Sequence, residues 1–119
     1  MPTLTDLLRG ELLAARRGGH RAVAATLRST LSALANAEAV PVDDAAPRGA
    51  SEHVAGIGVG ATEAERRVLP EAAQVALVRA EIAELRDAAT AYERVDRSRA
   101  DDARAGAAVL ERVLADHAG

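Results

Sequence analysis

The chain has 119 residues, carries a net charge of −3 and contains no cysteine. This length suits one domain, and the missing cysteine excludes disulfides, thiolate metal sites and thiol catalysis. No apolar run reaches the length of a membrane-spanning helix, and the charged, amphipathic start does not resemble a signal peptide, so we expect a cytoplasmic protein.

Alanine is abundant in this sequence, and Tyr92 is its one aromatic residue. Alanine favours helices, whereas aromatic side chains are typical of strands, so the composition predicts an all-α protein with closely packed helices. A core without aromatic rings is modest at this length, and a dimer or a partner would add burial. All 15 basic residues are arginine, which reflects either a GC-rich coding bias or recognition of phosphates and carboxylates.

Two amphipathic helices are predicted in the first third of the chain, over residues 4–17 and 20–40. Thr3 and Asp6 have the spacing of a capping box at the start of the first helix. A pair of glycines separates the two helices and a proline follows the second, as is usual at helix ends. The short connection predicts an antiparallel hairpin.

Residues 41–69 are the least regular part of the sequence and are predicted to form a Gly-rich insert. Prolines and paired aspartates near the start of the insert are typical of turns. The run GIGVGA that follows lacks the spacing of a nucleotide-binding glycine motif. It fits a short extended piece, while Thr62 and Glu65 instead fit one capped helical turn, and both alternatives stay open.

The clearest predicted helix spans residues 71–96, and a last helix follows over residues 99–116. The apolar residues of the former recur at intervals of three and four, which is typical of a helix packed along one seam. These seam residues are Val75, Val78, Ile82, Leu85, Ala89 and Tyr92. Ser98 is the expected N-cap of the last helix, and Gly106 on its apolar stripe predicts a close backbone crossing. The chain is thus predicted to be a small bundle of about four helices in two hairpins.

The sequence shows no constellation typical of a catalytic or metal site. The three histidines, His20, His53 and His117, lie on different predicted elements without ligand spacing. The serines and threonines of the second helix lack a suitably placed base. We therefore predict no catalytic residue, no metal, no cofactor and no small-molecule substrate.

Four arginines and one glutamate are the candidates for specific interactions. Glu38 continues the apolar stripe of the second helix and is costly to bury unpaired, which predicts an ion pair with Arg86 beside the third-helix seam. Alternatively, Arg28, Arg86 and Glu38 line a recognition surface. Arg94, Arg97 and Arg99 cluster at the break between the last two helices, either in a salt-bridged turn or in contact with phosphates.

Three segments carry a family likeness: an N-terminal amphipathic helix followed by LRSTLSALANAE at 27–38, then AEIAELRDAATAYER at 80–94 followed by Arg97, and finally AVLE at 108–111. Together they resemble the GatB/YqeY family, whose YqeY-type domain forms the C-terminal tail of GatB, the tRNA-binding subunit of glutamine-dependent tRNA amidotransferases. The likeness covers most of the chain outside 41–69. The sequence resembles a short form that lacks the distal helical subdomain of longer members.

The resemblance implies a single helical domain over residues 1–119 that is linked to tRNA and is not catalytic by itself. The associated activity, a carbon–nitrogen ligase with glutamine as amido-N-donor, would lie in other domains and subunits. On this interpretation the RNA-binding candidates are Arg28, Arg86, Arg94 and Arg97. The alternative is a protein-interaction or homodimerisation module with no nucleic-acid role.

Overall fold

The computed structural model describes residues 1–39 and 68–119, and in these two ranges it contains four helices and no strand. The helices are α1 (Leu4–Arg17), α2 (Arg21–Ala39), α3 (Glu71–Tyr92) and α4 (Arg97–Ala118). This confirms the predicted all-α bundle. The predicted insert lies outside the described residues except for Val68 and Leu69, and so do both alternatives for its Gly-rich run. None of the four helices is both long enough and apolar enough to cross a membrane.

The first hairpin, α1 and α2, begins and turns as its sequence predicts. Thr3 caps α1: its hydroxyl accepts a hydrogen bond from the backbone N of Asp6 at 3.0 Å, and the Asp6 carboxylate accepts one from the backbone N of Thr3 at 3.1 Å. These two bonds form the predicted capping box. Gly18 ends α1, and Gly19 has φ +75°, a left-handed conformation that glycine adopts without strain. The chain therefore reverses over the three residues 18–20.

The second hairpin, α3 and α4, turns earlier than predicted. Helix α3 ends at Tyr92, and α4 begins at Arg97 with Asp96 as its N-cap. The Asp96 carboxylate accepts a hydrogen bond from the backbone N of Arg99 at 3.1 Å. The prediction that Ser98 caps this helix is wrong, because Asp96, an equally good capping residue two positions earlier, adopts the extended conformation and leaves Ser98 inside α4.

Both hairpins contribute to one hydrophobic core. Leu4 and Leu8 of α1 and Leu27 of α2 are almost fully buried, together with Val78 of α3 and Leu110 of α4. Every residue of the predicted α3 seam is buried or half-buried, which confirms the seam. Leucine and valine, with alanine in the closest contacts, thus fill the interior, and these side chains fix how the two hairpins pack.

The hairpins approach each other closely at Gly106. A Cβ built on this glycine would lie 2.5 Å from the Thr26 hydroxyl oxygen, so a larger residue requires the Thr26 side chain or the two helices to shift. This confirms the predicted close crossing. One turn along α2, the fully buried Thr30 donates a hydrogen bond to the Thr26 carbonyl at 2.9 Å, which satisfies its hydroxyl.

Candidate nucleic-acid interface

At the turn between α3 and α4, two arginines form ion pairs with nearby carboxylates and two do not, within the described residues. Arg99 lies 3.5 Å from the Asp96 carboxylate. Arg104 lies 3.4 Å from the Glu93 carboxylate and 3.3 Å from the Asp101 carboxylate. A separate set, the predicted candidates Arg94 and Arg97, is exposed and forms no ion pair within residues 1–39 and 68–119. These two guanidinium groups are available to an external anion.

The single aromatic ring of the chain also lies at this turn. The Arg99 guanidinium sits 5.6 Å from the centroid of the Tyr92 ring, within the range of a cation–π contact, and it approaches the Tyr92 hydroxyl at 3.4 Å. Tyr92 is half-buried along the α3 seam. Because the ring is half-buried and already contacts Arg99, it is poorly placed to stack on an unpaired base.

Arg86 has a partner other than the predicted one. Its guanidinium lies 2.6 Å from the Glu111 carboxylate of α4, and this hydrogen-bonded contact raises the pKa of Arg86. The prediction that Glu38 pairs with Arg86 is therefore corrected: α3 packs most extensively against α4, so the flank of its seam meets α4 and not the end of α2. Glu38 is half-buried on α2.

The four predicted RNA-binding arginines do not form one cluster. Arg94 and Arg97 lie together at the α3–α4 turn, whereas Arg28 is an exposed residue of α2 in the other hairpin. Arg86 is neutralised by Glu111. Of the four, Arg94 and Arg97 are thus the pair that the structure brings to one place.

Three further exposed arginines, Arg16, Arg17 and Arg21, surround the α1–α2 turn and are not among the residues predicted from the sequence. The signal that reveals them is charge segregation. The stretch between Glu11 and Glu38 contains arginine and histidine but no acidic residue. The family likeness includes the N-terminal helix only as an amphipathic pattern, so it does not single out these three arginines.

Elsewhere the surface offers a shallow groove of about 430 Å³ between α3 and α4. Arg79 and Glu111 contribute its charged groups, and Ile82 and Leu114 form part of its apolar floor. At one end of the same helices, His117 contacts the Glu71 carboxylate, which ties the last turn of α4 to the start of α3. Within the described ranges, no three His, Asp or Glu side chains converge in a way that would hold a metal ion.

Comparison with known proteins identifies no relative of this chain. The sequence matches no family model, and no curated protein or solved structure is significantly similar to it. The likeness to the GatB/YqeY family therefore stays a prediction drawn from the helical motifs.

Proposed function

We propose that this chain is a non-catalytic helical module that binds tRNA or another RNA through its exposed arginines. The observation that carries the proposal is the contrast at the α3–α4 turn. Arg99 and Arg104 are held by neighbouring carboxylates, while Arg94 and Arg97 are exposed and have no such partner among the described residues. Arginine forks that no intramolecular acid neutralises suit phosphate contacts.

The position of Arg97 supports this proposal, because folding stability does not account for it. Arg97 is the first residue of α4, where the helix dipole is positive and a cation is unfavourable. A phosphate at this end would contact an arginine and also benefit from the helix dipole. Anion binding would therefore explain why an arginine occupies the first position of α4, where it does not stabilise the helix.

The family resemblance suggests which RNA to test. A GatB/YqeY-type module would hold tRNA for a glutamine-dependent tRNA amidotransferase, whose carbon–nitrogen ligase chemistry would be carried out elsewhere. The described surface fits such a supporting role, because its conspicuous features are exposed arginines and a shallow groove. Arg28 on α2 is a further candidate contact in the same proposal.

The test is the salt dependence of tRNA binding, measured by fluorescence anisotropy with a labelled tRNA transcript. A module that contacts two or three phosphates is expected to lose roughly tenfold or more in affinity between about 50 and 200 mM salt. The double variant Arg94→Ala/Arg97→Ala should bind more weakly and show a shallower salt dependence. Arg86→Ala is the matched control, because Glu111 already neutralises this arginine. No detectable binding of the unaltered protein at low salt would contradict the proposal.

One observation favours the alternative, a protein-interaction or homodimerisation module. Val95, in the centre of the α3–α4 turn, is 82% exposed and lies beside Arg94. An apolar side chain between arginines is also what a protein interface would use. Native mass spectrometry separates the two functions, since a strictly monomeric protein that co-purifies with no other protein would count against the alternative.

A further inference from the structure

The longest stretch without acidic residues in the first hairpin surrounds the α1–α2 turn. Between Glu11 and Glu38 the sequence has four arginines and one histidine and no aspartate or glutamate. This is unusual for a chain whose net charge is −3. Four of the 15 arginines therefore lie in a stretch with no acidic residue, and a segregated charge of one sign attracts ligands of the other.

The structure leaves the arginines at this turn exposed. Arg16 and Arg17 occupy the last turn of α1, and Arg21 is the first residue of α2. The nearest preceding acid, Glu11, is engaged by Arg112 of α4 at 2.7 Å. Within the two described ranges none of the three turn arginines forms an ion pair. The first turn of α2 contains no acidic residue to balance Arg21.

Two more exposed arginines extend this surface along both helices. Arg9 precedes Arg16 by seven residues, and Arg28 follows Arg21 by seven. Seven residues are almost two helical turns, so each pair lies on one face of its helix with a separation of about 10.5 Å along the axis. Asp6, whose carboxylate is held in the capping box, precedes Arg9 by three residues, and the charge of Arg9 contributes to lowering the pKa of Asp6. We name the five residues Arg9, Arg16, Arg17, Arg21 and Arg28 the basic hairpin surface.

We infer that the basic hairpin surface is the principal phosphate-binding surface of this protein and that it takes the sugar-phosphate backbone of RNA. The inference rests on the proposed function and assigns its main contact to a place other than the α3–α4 turn. Residues 93–104 at that second turn contain four arginines and four acidic residues, and ion pairs occupy two of the arginines. An approaching polyanion therefore meets the stronger positive field at α1 and α2.

The fold favours a nucleic acid over a lipid surface as the occupant. A helix that lies in a membrane interface buries an apolar face among the lipids. The apolar face of α1 is already used, because Leu4 and Leu8 are fully buried in the core. Leu13 is the one large apolar side chain of α1 that is substantially exposed. Membrane insertion through this helix would require the core to open.

The chemistry of the surface also predicts what part of the RNA is recognised. Helices α1 and α2 carry no aromatic side chain, so they offer no platform for stacked bases. Guanidinium groups bind phosphates regardless of base identity. We therefore expect binding that depends on salt and on duplex or backbone shape, with little dependence on sequence.

The experiment compares charge-removing variants of the two turns in the 119-residue chain, using a labelled tRNA transcript over a salt series from about 50 to 200 mM. The triple variant Arg16→Gln/Arg17→Gln/Arg21→Gln is expected to lose roughly tenfold or more in affinity and about two to three units of the slope of log K against log salt. Arg94→Gln/Arg97→Gln should lose less. Arg79→Gln, which removes an exposed arginine of α3 outside both turns, is the control for the loss of a single charge and should bind like the unaltered protein.

Each outcome supports or overturns the inference. A lysine triple variant at the same three positions keeps the charge and should bind within about threefold of the unaltered protein, whereas the loss of binding there would contradict an electrostatic origin. Loss of binding only in Arg94→Gln/Arg97→Gln, or equal loss in both turns, would overturn the inference and leave the proposed function intact. No binding of tRNA by the unaltered protein would overturn both. Binding to phosphatidylserine vesicles and not to RNA would replace RNA by a membrane as the partner.

Discussion

The two turns of this bundle are built in opposite ways. The α1–α2 turn is closed by backbone geometry, because Gly18 ends one helix and Gly19 takes up a left-handed conformation. The α3–α4 turn is closed by charged side chains, with Asp96 as the N-cap and Arg99 folded back over Tyr92. Within the described residues, the turn closed by glycine leaves its three arginines without an ion pair, whereas the turn closed by charged side chains engages two of its four arginines.

We therefore expect the charged side chains of the α1–α2 turn to affect binding and those that close the α3–α4 turn to affect stability. Removing an arginine from the α1–α2 turn should weaken anion binding and leave the fold unaffected, since these side chains are exposed and unpaired within the described ranges. Removing Asp96 from the α3–α4 turn should affect the fold instead. Substitutions at the hairpin crossing and at the N-cap of α4 test the stability side of this difference. We expect the substitution at the crossing to change the free energy of unfolding most.

The largest effect is expected where the hairpins cross, at Gly106. An alanine Cβ there would lie 2.5 Å from the Thr26 hydroxyl oxygen and 3.2 Å from the Thr26 Cβ and Cγ2 atoms, so the Thr26 side chain or the two helices must shift. We expect Gly106→Ala to lower the free energy of unfolding by about 1–3 kcal/mol, since such overpacking outweighs a gain of roughly 1 kcal/mol in helix propensity. Urea denaturation measures this change.

The matched control is Gly10→Ala in α1, where an added Cβ would meet nothing within 4 Å. This variant should gain up to about 1 kcal/mol of stability, because only the helix propensity changes. Adding Thr26→Ala to Gly106→Ala should recover part of the lost stability, which a double-mutant cycle quantifies. If both glycine variants were equally stable, the close crossing would not constrain the packing of the hairpins.

A smaller effect is expected at the cap of α4. Asp96→Ala removes the acceptor for the backbone N of Arg99 and should lower the free energy of unfolding by about 1 kcal/mol, within a range of roughly 0.5–2. Thermal and urea denaturation measure this loss. Ser98→Ala, two residues further along and inside α4, is the control and should change stability by less than about 0.5 kcal/mol. If Ser98→Ala lowered the free energy of unfolding more than Asp96→Ala, Ser98 and not Asp96 would be the N-cap of α4.

The helices could be predicted from the sequence because local patterns determine them. The capping box of Thr3 and the paired glycines fix α1 at residues 4–17, as predicted. Gly106 indicates a crossing because glycine weakens a helix, and its place on an apolar stripe puts the missing side chain toward a neighbouring helix. The predicted end of α3 lies four residues too late, since no glycine or proline interrupts the sequence between Tyr92 and Asp96.

The candidate site was less predictable, because ion pairs depend on which helices are neighbours. The apolar stripes of α2 and α3 predict an ion pair between Glu38 and Arg86. Because α3 packs on α4, Arg86 instead pairs with Glu111. Likewise, sequence spacing does not show that Arg104 is paired while Arg94 is exposed. The segregation of charge around the α1–α2 turn, by contrast, is visible in the sequence alone. Its meaning depends on the fold, which brings the ends of α1 and α2 together and leaves their arginines on the surface.

The smallest expected effect is on the pH dependence of stability, which we compare for one carboxylate from each hairpin. Hydrogen bonds from Thr3 hold the pKa of Asp6 below its usual value, whereas burial, aided by the charge of Glu84, raises the pKa of Glu81 above 4.5. The folded state therefore binds the proton of Glu81 more tightly than the unfolded state, and stability is lost as the pH rises from about 4.5 through the raised pKa.

Glu81→Gln should remove this loss and stabilise the protein at pH 7 by up to about 0.5 kcal/mol, with a gain that vanishes below the pKa of the unfolded state. Asp6→Asn should behave in the opposite way, because the hydrogen bond from the backbone N of Thr3 favours the ionised Asp6, and this contribution is lost as the pH falls from the usual aspartate value through the lowered pKa. Urea denaturation at pH 3 and pH 7 separates the two variants. Equal stabilisation by Glu81→Gln at both pH values would show that packing of the amide, and not relief of a buried charge, produces the gain.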